Sequence, residues 1–278
     1  MIIAGPCSVE SREQTLATYR GLAACGCVDM IRGGVWKPRT YPSCFQGVGE
    51  VGLEWLAEAK AETGLPFGVE VANSRHVEAA LGAGADMVWI GARTTGNPFS
   101  VQEVADALRG TEVLVLVKNA QMPDTGLWTG AVERMLAAGV GPERLVLVHR
   151  GFAQTPGNEY RNPPVWHVAL EMRRRFPELK MLCDPSHICG RREGLAATAQ
   201  KAADLSYDGL FMESHVRPDE ALSDAAQQVT PEQLGELLAG IRWRRETVDV
   251  PQFEADMERL RLEIDQIDAQ LFALLSRR

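Results

Sequence analysis

The chain has 278 residues, 45% of them hydrophobic, and its 29 Lys and Arg against 37 Asp and Glu leave a formal charge of −8. That is enough for one large domain with a full core, and an acidic chain without a basic tract argues against a nucleic-acid partner. No apolar run reaches the roughly 18 residues of a membrane span, and the start Met1-Ile2-Ile3-Ala4-Gly5-Pro6 lacks the basic residues and long apolar stretch of a secretory signal, so a cytoplasmic protein without membrane contact is expected.

Taken in chain order, short apolar runs alternate with longer helical patterns. Strands are predicted at 1–4, 28–32, 66–71, 86–91, 112–118, 144–149, 179–184 and 208–213. Runs such as Val113-Leu114-Val115-Leu116-Val117 do not alternate apolar with polar, which marks parallel strands buried on both faces. Helices are predicted between and after them at 11–24, 48–63, 74–83, 100–109, 129–138, 164–175, 191–205 and 230–245. Ser11, Asn73, Ser100 and Thr230 are the predicted N-caps, and Pro231 suits a first helical position. Eight strand–helix pairs, with no G-x-G-x-x-G after any strand, point to a (β/α)₈ barrel rather than a doubly wound dinucleotide fold.

Past Pro251 the pattern changes. Phe253, Met257, Leu260, Ile264, Ile267, Leu271 and Leu274 alternate spacings of four and three, a heptad stripe that predicts one long extra helix with a sticky face. The helix either folds back on its own barrel or seeks a partner, and the second is favoured because 230–245 already supplies the eighth barrel helix. The six cysteines include no CxxC pair. Reduced thiols, with one of them a metal ligand, are expected, and Cys25 and Cys27 are read as packing residues.

In a closed barrel the residues just past each strand converge on one mouth. Here these are Cys7, then Arg32 with Lys37-Pro38-Arg39-Thr40, Glu70, Arg93, Lys118, Arg150, Asp184 with His187, and Glu213 with His215, followed by Asp224 in the next loop. Arg32, Lys37, Arg39, Arg93, Lys118 and Arg150 form a cationic set that calls for a multiply anionic ligand. Cys7, His187, Glu213 and Asp224 lie after strands one, seven and eight, neighbours once the barrel closes. A thiolate, an imidazole and two carboxylates suit Mn²⁺, Fe²⁺, Co²⁺ or Zn²⁺. His76, His149 and His167 read as structural.

Ala4-Gly5-Pro6-Cys7-Ser8, Lys37-Pro38-Arg39-Thr40, Gly91-Ala92-Arg93-Thr94-Thr95, Cys183-Asp184-Pro185-Ser186-His187, Met212-Glu213-Ser214-His215 and Ala221-Leu222-Ser223-Asp224-Ala225 together resemble the type I, Iβ-like, 3-deoxy-D-arabino-heptulosonate 7-phosphate (DAHP) synthases. The resemblance implies condensation of phosphoenolpyruvate with erythrose 4-phosphate, the first step of the shikimate pathway to chorismate and the aromatic amino acids, by a homo-oligomer. It implies that Cys7, His187, Glu213 and Asp224 hold one divalent ion, Mn²⁺ ahead of Fe²⁺, Co²⁺ or Zn²⁺. Arg32, Lys37, Arg93, Lys118 and Arg150 would surround phosphoenolpyruvate, and Lys37, Pro38, Arg39, Thr40 and Asp224 would receive the sugar phosphate. Lys37, Lys118, Glu70 and His215 are the expected catalytic groups, His215 as a proton relay or behind the metal.

The enzyme alternative is 3-deoxy-D-manno-octulosonate (KDO) 8-phosphate synthase, which condenses arabinose 5-phosphate and whose corresponding loop reads Lys-Ala-Asn-Arg-Ser-Ser. The loop here favours the four-carbon sugar, although Tyr41-Pro42-Ser43-Cys44-Phe45-Gln46-Gly47 departs from the more usual Ser-Pro-Tyr-Ser-Phe-Gln-Gly. In the tail, Leu260, Arg261, Ile264, Ile267, Asp268, Leu271, Leu274 and Arg278 resemble the first helix of an AroQ-type chorismate mutase. The expected division is a barrel at 1–247, then a linker and mutase-like first helix at 248–278. A bifunctional protein cut short within its mutase part, and so without mutase activity, is expected. A non-enzyme alternative is an association module acting through this helix.

Overall fold

Among the described residues, eight short strands pair only in parallel and close into a ring in sequence order. They are β1 (Ile2–Gly5), β2 (Met30–Arg32), β3 (Phe67–Val71), β4 (Met87–Ile90), β5 (Leu114–Lys118), β6 (Leu145–His149), β7 (Lys180–Cys183) and β8 (Gly209–Glu213). The computed structural model describes residues 1–37, 39, 41–153, 159–244 and 251–275. The last strand closes on the first with Ile2 opposite Leu210 and Gly5 opposite Glu213. Gly5 is needed there because a Cβ would collide with the carbonyl oxygen of Arg32 on β2.

Side chains alternate along each strand between two cores. Ile3, Met87, Trp89, Leu116, Val146, Val148, Leu182 and Phe211 fill the lumen. Their neighbours, such as Val88, Val115, Val117, Leu147 and Cys183, face the helices and join the larger outer core. The outer ring consists of α1 (Arg12–Cys25), α2 (Val51–Thr63), α3 (Ser74–Gly82), the single turn α4 (Ala92–Thr95), α5 (Pro98–Ala107), α6 (Thr125–Ala137), α7 (Trp166–Arg175), the short α8 (Pro185–Cys189), α9 (Leu195–Asp204) and α10 (Pro231–Gly240).

Local chemistry explains the boundaries. Ser11, Asn73 and Thr230 cap α1, α3 and α10 as expected, and Thr230 with Gln233 forms a reciprocal capping box ahead of Pro231. The predicted cap Ser100 is instead inside α5. Asn97 caps that helix by accepting from the Phe99 and Ser100 amides, and Pro98 occupies its first turn. The end of α1 also corrects an expectation. Gly26 takes the left-handed conformation (φ 63°) that stops the helix, and Cys25 and Cys27 on either side of it are joined in a disulfide rather than simply packed.

Contacts divide the chain into two units, Met1–Arg242 and Trp243–Arg278; the expected division was at 247/248. The second unit holds α11 (Pro251–Leu275), a 25-residue helix. Its Met257, Leu260, Ile264, Ile267, Leu271 and Leu274 are all exposed. Among the described residues no helix is long and apolar enough to cross a membrane.

Candidate active site

The mouth at the C-terminal ends of the strands gathers one charged pocket, lined by Lys37, Arg39, Glu70, Gly91, Ala92, Arg93, Lys118, Gln121, Arg150, Arg161, Asn162, His187 and Asp224. Every strand but β1 contributes a lining residue directly or through its following loop, the β2 loop supplying Lys37 and Arg39. Glu70, from β3, accepts from the Trp89 indole at 3.2 Å. Gly91 leaves the space beside it into which the Glu70 carboxylate reaches, since a Cβ there would displace that carboxylate.

Lys118 ends β5 and is buried. Its ammonium donates to Asp184 Oδ2 at 2.7 Å and lies 4.4 Å from the centre of the Phe211 ring. Burial pulls the Lys118 pKa down, and the Asp184 charge opposes that pull. Burial alone would raise the Asp184 pKa, but His187 and Lys118 outweigh it and hold this carboxyl well below the usual range. Asp184 also caps α8 by accepting from the His187 amide at 3.0 Å. Arg150 follows β6 and donates to Asn162 Oδ1 at 2.9 Å. Burial lowers its pKa to about 10, reinforced by Arg161 and Arg93.

Against this pocket lies a compact acidic group. Ligand atoms of Cys7, Glu213 and Asp224 all fall within 4.8 Å of one another. The Cys7 thiol is 3.4 Å from Asp224 Oδ2 and 3.1 Å from the Lys37 ammonium, which also donates to the Cys7 carbonyl at 2.8 Å. Burial, then the Glu213 charge, pushes the Cys7 thiol up to about 12. Asp224 adopts a left-handed backbone (φ 48°, ψ 36°), unusual for a residue with a side chain although Asp tolerates it best. Glu213 and Asp224 titrate below the usual carboxylate range. Burial opposes this in both, and it is overcome first by His187 and then by Arg32 for Glu213 and Arg161 for Asp224.

These residues fit a divalent cation. Glu213 Oε1 is buried without a hydrogen bond, the kind of orphaned polar atom a bound ion accounts for, and the donors combine a thiol with two carboxylates. His187 is not drawn into the tight three-residue group. Its ring is held by Asp184, 2.8 Å from Nδ1 though not aligned for a hydrogen bond, and Nε2 stands 3.8 Å from Glu213 Oε1.

Two of the expected site residues lie behind the cavity wall rather than on it. Arg32 is not on the pocket wall. It is buried in the lumen with its guanidinium 5.0 Å from the Trp89 ring and 4.8 Å from the Phe211 ring, paired at 3.2 Å with Glu213. His215 also stays out of the pocket, because its Nδ1 accepts from the Arg217 amide at 2.9 Å and its Nε2 faces Glu10 at 3.6 Å. Pro38 and Thr40 lie outside the described residues. Arg161 was not anticipated. It takes the sixth cationic place at the mouth, donating to Asp224 Oδ1 at 3.1 Å and Gln227 Oε1 at 2.8 Å.

Residues 1–248 match the family model described as the DAHP synthetase I family. The chain belongs to that family. It is 35% identical over 237 residues to the phospho-2-dehydro-3-deoxyheptonate aldolase of Thermotoga maritima, covering 85% of this chain and 67% of that protein. A crystal structure of DAHP synthase from Thermotoga maritima superposes with a TM-score of 0.76 at 33% identity, over 86% of this chain and 67% of the other. A more distant relative, the 2-dehydro-3-deoxyphosphooctonate aldolase of Nitratidesulfovibrio vulgaris, is 28% identical over 85% of this chain and 89% of its own length. Family membership covers the whole barrel and stops short of α11.

Proposed function

We propose that the chain condenses phosphoenolpyruvate with erythrose 4-phosphate and water, giving DAHP and inorganic phosphate. The observation that carries this reading is the convergence of six cationic side chains, Lys37, Arg39, Arg93, Lys118, Arg150 and Arg161, on one pocket that abuts the Cys7–Glu213–Asp224 group. A bond forms between C3 of the enol phosphate and the aldehyde carbon of the sugar, water adds at C2, and the C2–O bond to phosphate breaks.

Lys118, Arg93 and Arg150, with Arg161, hold the enol phosphate, and Arg32 acts from beneath through Glu213. Arg39, with Pro38 and Thr40, takes the sugar phosphate, and Lys37 stands between the two substrates. Holding two anions together in this way lowers the entropic barrier, and fixed cations offset the charge of the departing phosphate. Lys118 and Glu70 handle protons at the reacting carbons. Cys7, His187, Glu213 and Asp224 would hold the divalent ion, Mn²⁺ ahead of Fe²⁺, Co²⁺ or Zn²⁺. When bound, such an ion supplies Lewis acidity at the aldehyde oxygen.

A second reading, the same condensation with arabinose 5-phosphate, is favoured by the resemblance to the 2-dehydro-3-deoxyphosphooctonate aldolase. The lower identity of that relative and the Lys37-Pro38-Arg39-Thr40 loop place it second. One assay separates the two: loss of the phosphoenolpyruvate enol absorbance with each sugar, with and without a chelator. Turnover with erythrose 4-phosphate that chelator abolishes is expected. Turnover with the five-carbon sugar alone would overturn the substrate, and full activity after thorough metal stripping would overturn the metal. α11, with Arg261 among its described residues, is read as an association surface for a homo-oligomer.

A further inference from the structure

We infer that Gln227 is a positioning residue that fixes which oxygen of Glu213 is offered to the cation; the inference rests on the metal reading above. Gln227 is buried, and both ends of its amide are committed. Nε2 donates to Glu213 Oε2 at 2.7 Å, while Oε1 accepts from Arg161, whose same nitrogen donates to Asp224 Oδ1. With Oε2 taken, Glu213 Oε1 is left buried and without a hydrogen bond. Two groups flank that oxygen, Arg32 at 3.2 Å and His187 at 3.8 Å, and neither hydrogen-bonds to it. One carboxylate oxygen is therefore spent on the amide and the other is kept for a ligand.

The next residue extends the same device. Gln228, also buried, accepts from the Cys7 amide at 3.0 Å and donates to the Ser223 carbonyl at 2.9 Å, one residue before Asp224. Two consecutive amides thus tie the β1 loop, the end of β8 and the turn carrying Asp224, the three places from which the tight ligand group comes. An amide present only to fill space would need neither pairing. A glutamate at 227 would set a second carboxylate against Glu213, whereas the glutamine lends a donor without charge and orients the ligand.

The test compares the parent chain with Gln227→Met, which keeps the length and removes the donor. Both are stripped by chelator, and Mn²⁺ is titrated back by equilibrium dialysis. The thiolate-to-metal absorption of the Co²⁺ form is recorded alongside the melting of the metal-free proteins. The expected result is a Mn²⁺ dissociation constant raised about 10–100-fold, an altered Co²⁺ band, and metal-free melting close to that of the parent. If Gln227→Met does not fold, Gln227→Asn, which keeps the amide but shortens its reach, carries the same comparison. Parental Mn²⁺ affinity in a folded variant overturns the positioning role and leaves the metal reading standing. A parent that binds neither Mn²⁺ nor Co²⁺ overturns the metal reading, and this inference with it.

Discussion

His149 shows how a titratable side chain is placed in this fold for stability rather than chemistry. It is fully buried, with Nε2 against the Pro164 carbonyl at 2.6 Å, Nδ1 accepting from the Tyr207 hydroxyl at 2.9 Å, and the Trp166 ring edge-on at 5.3 Å. Burial lowers its pKa to about 4 from an ordinary 6.5. Between those values the unfolded chain binds the proton and the folded chain does not. Stability therefore falls as pH drops below 6.5 and this contribution levels off below about 4, for a total of about 3 kcal/mol. Thermal melts from pH 7 to pH 4.5 should show the decline, and His149→Phe should flatten it. An equally steep decline in the variant would assign it to other groups.

The Lys118–Asp184 pair lies in the candidate site and bears on stability as well. Deleting one buried charge strands the other, so Lys118→Met should cost about 3–5 kcal/mol in denaturant unfolding, and Asp184→Asn in the same chain should restore part of the loss. If the double variant is no more stable than the single, the two charges are not coupled in the fold. Asp184 was visible in the sequence as the residue after the seventh strand. Its pairing with Lys118 was not, because it depends on β5 and β7 projecting side chains across the same lumen. Arg161 gave less warning still. It lies in a long loop after β6, away from any strand end, and only its contacts with Asp224 and Gln227 bring it to the mouth. Arg32 was visible as a cation at a strand end, but its place between two aromatic rings and the Glu213 carboxylate inside the barrel was not.

At the scale of elements, the strands were the most legible feature, since apolar runs buried on both faces leave little freedom in their assignment. The eight large helices followed from caps and spacing. The short α4 and α8 did not, because four or five residues carry no periodicity. They matter because α4 carries Arg93 and α8 begins beside Asp184 and ends past His187. The heptad of α11 predicted its helix, and the apolar stripe exposed from Met257 to Leu274 among the described residues is more than an isolated helix normally leaves bare. Removing residues 250–278 should leave the barrel folded and lower the apparent size on a sizing column, or relieve aggregation. Identical elution of both forms would count against an association role for the helix.

For the whole molecule, barrel closure decides what the site can be. Cys7 stands just past the first strand, Glu213 ends the last, and the register of Gly5 against Glu213 joins them. The sequence disclosed this because adjacency of first and last strands is a property of any closed ring. It could not disclose that His187 would lean towards Asp184, a matter of a few ångströms between two acceptors.

One consequence of that seam concerns synthesis. A nascent chain emerging from the ribosome presents residue 7 more than two hundred positions before residue 224 appears. Until nearly the whole barrel has been made, the early thiol lacks the two carboxylates, Glu213 and Asp224, that stand beside it in the finished fold. If the proposed cation binds there, its capture is postponed to the final stave, and its affinity would add mass-action stabilisation to the act of sealing the ring.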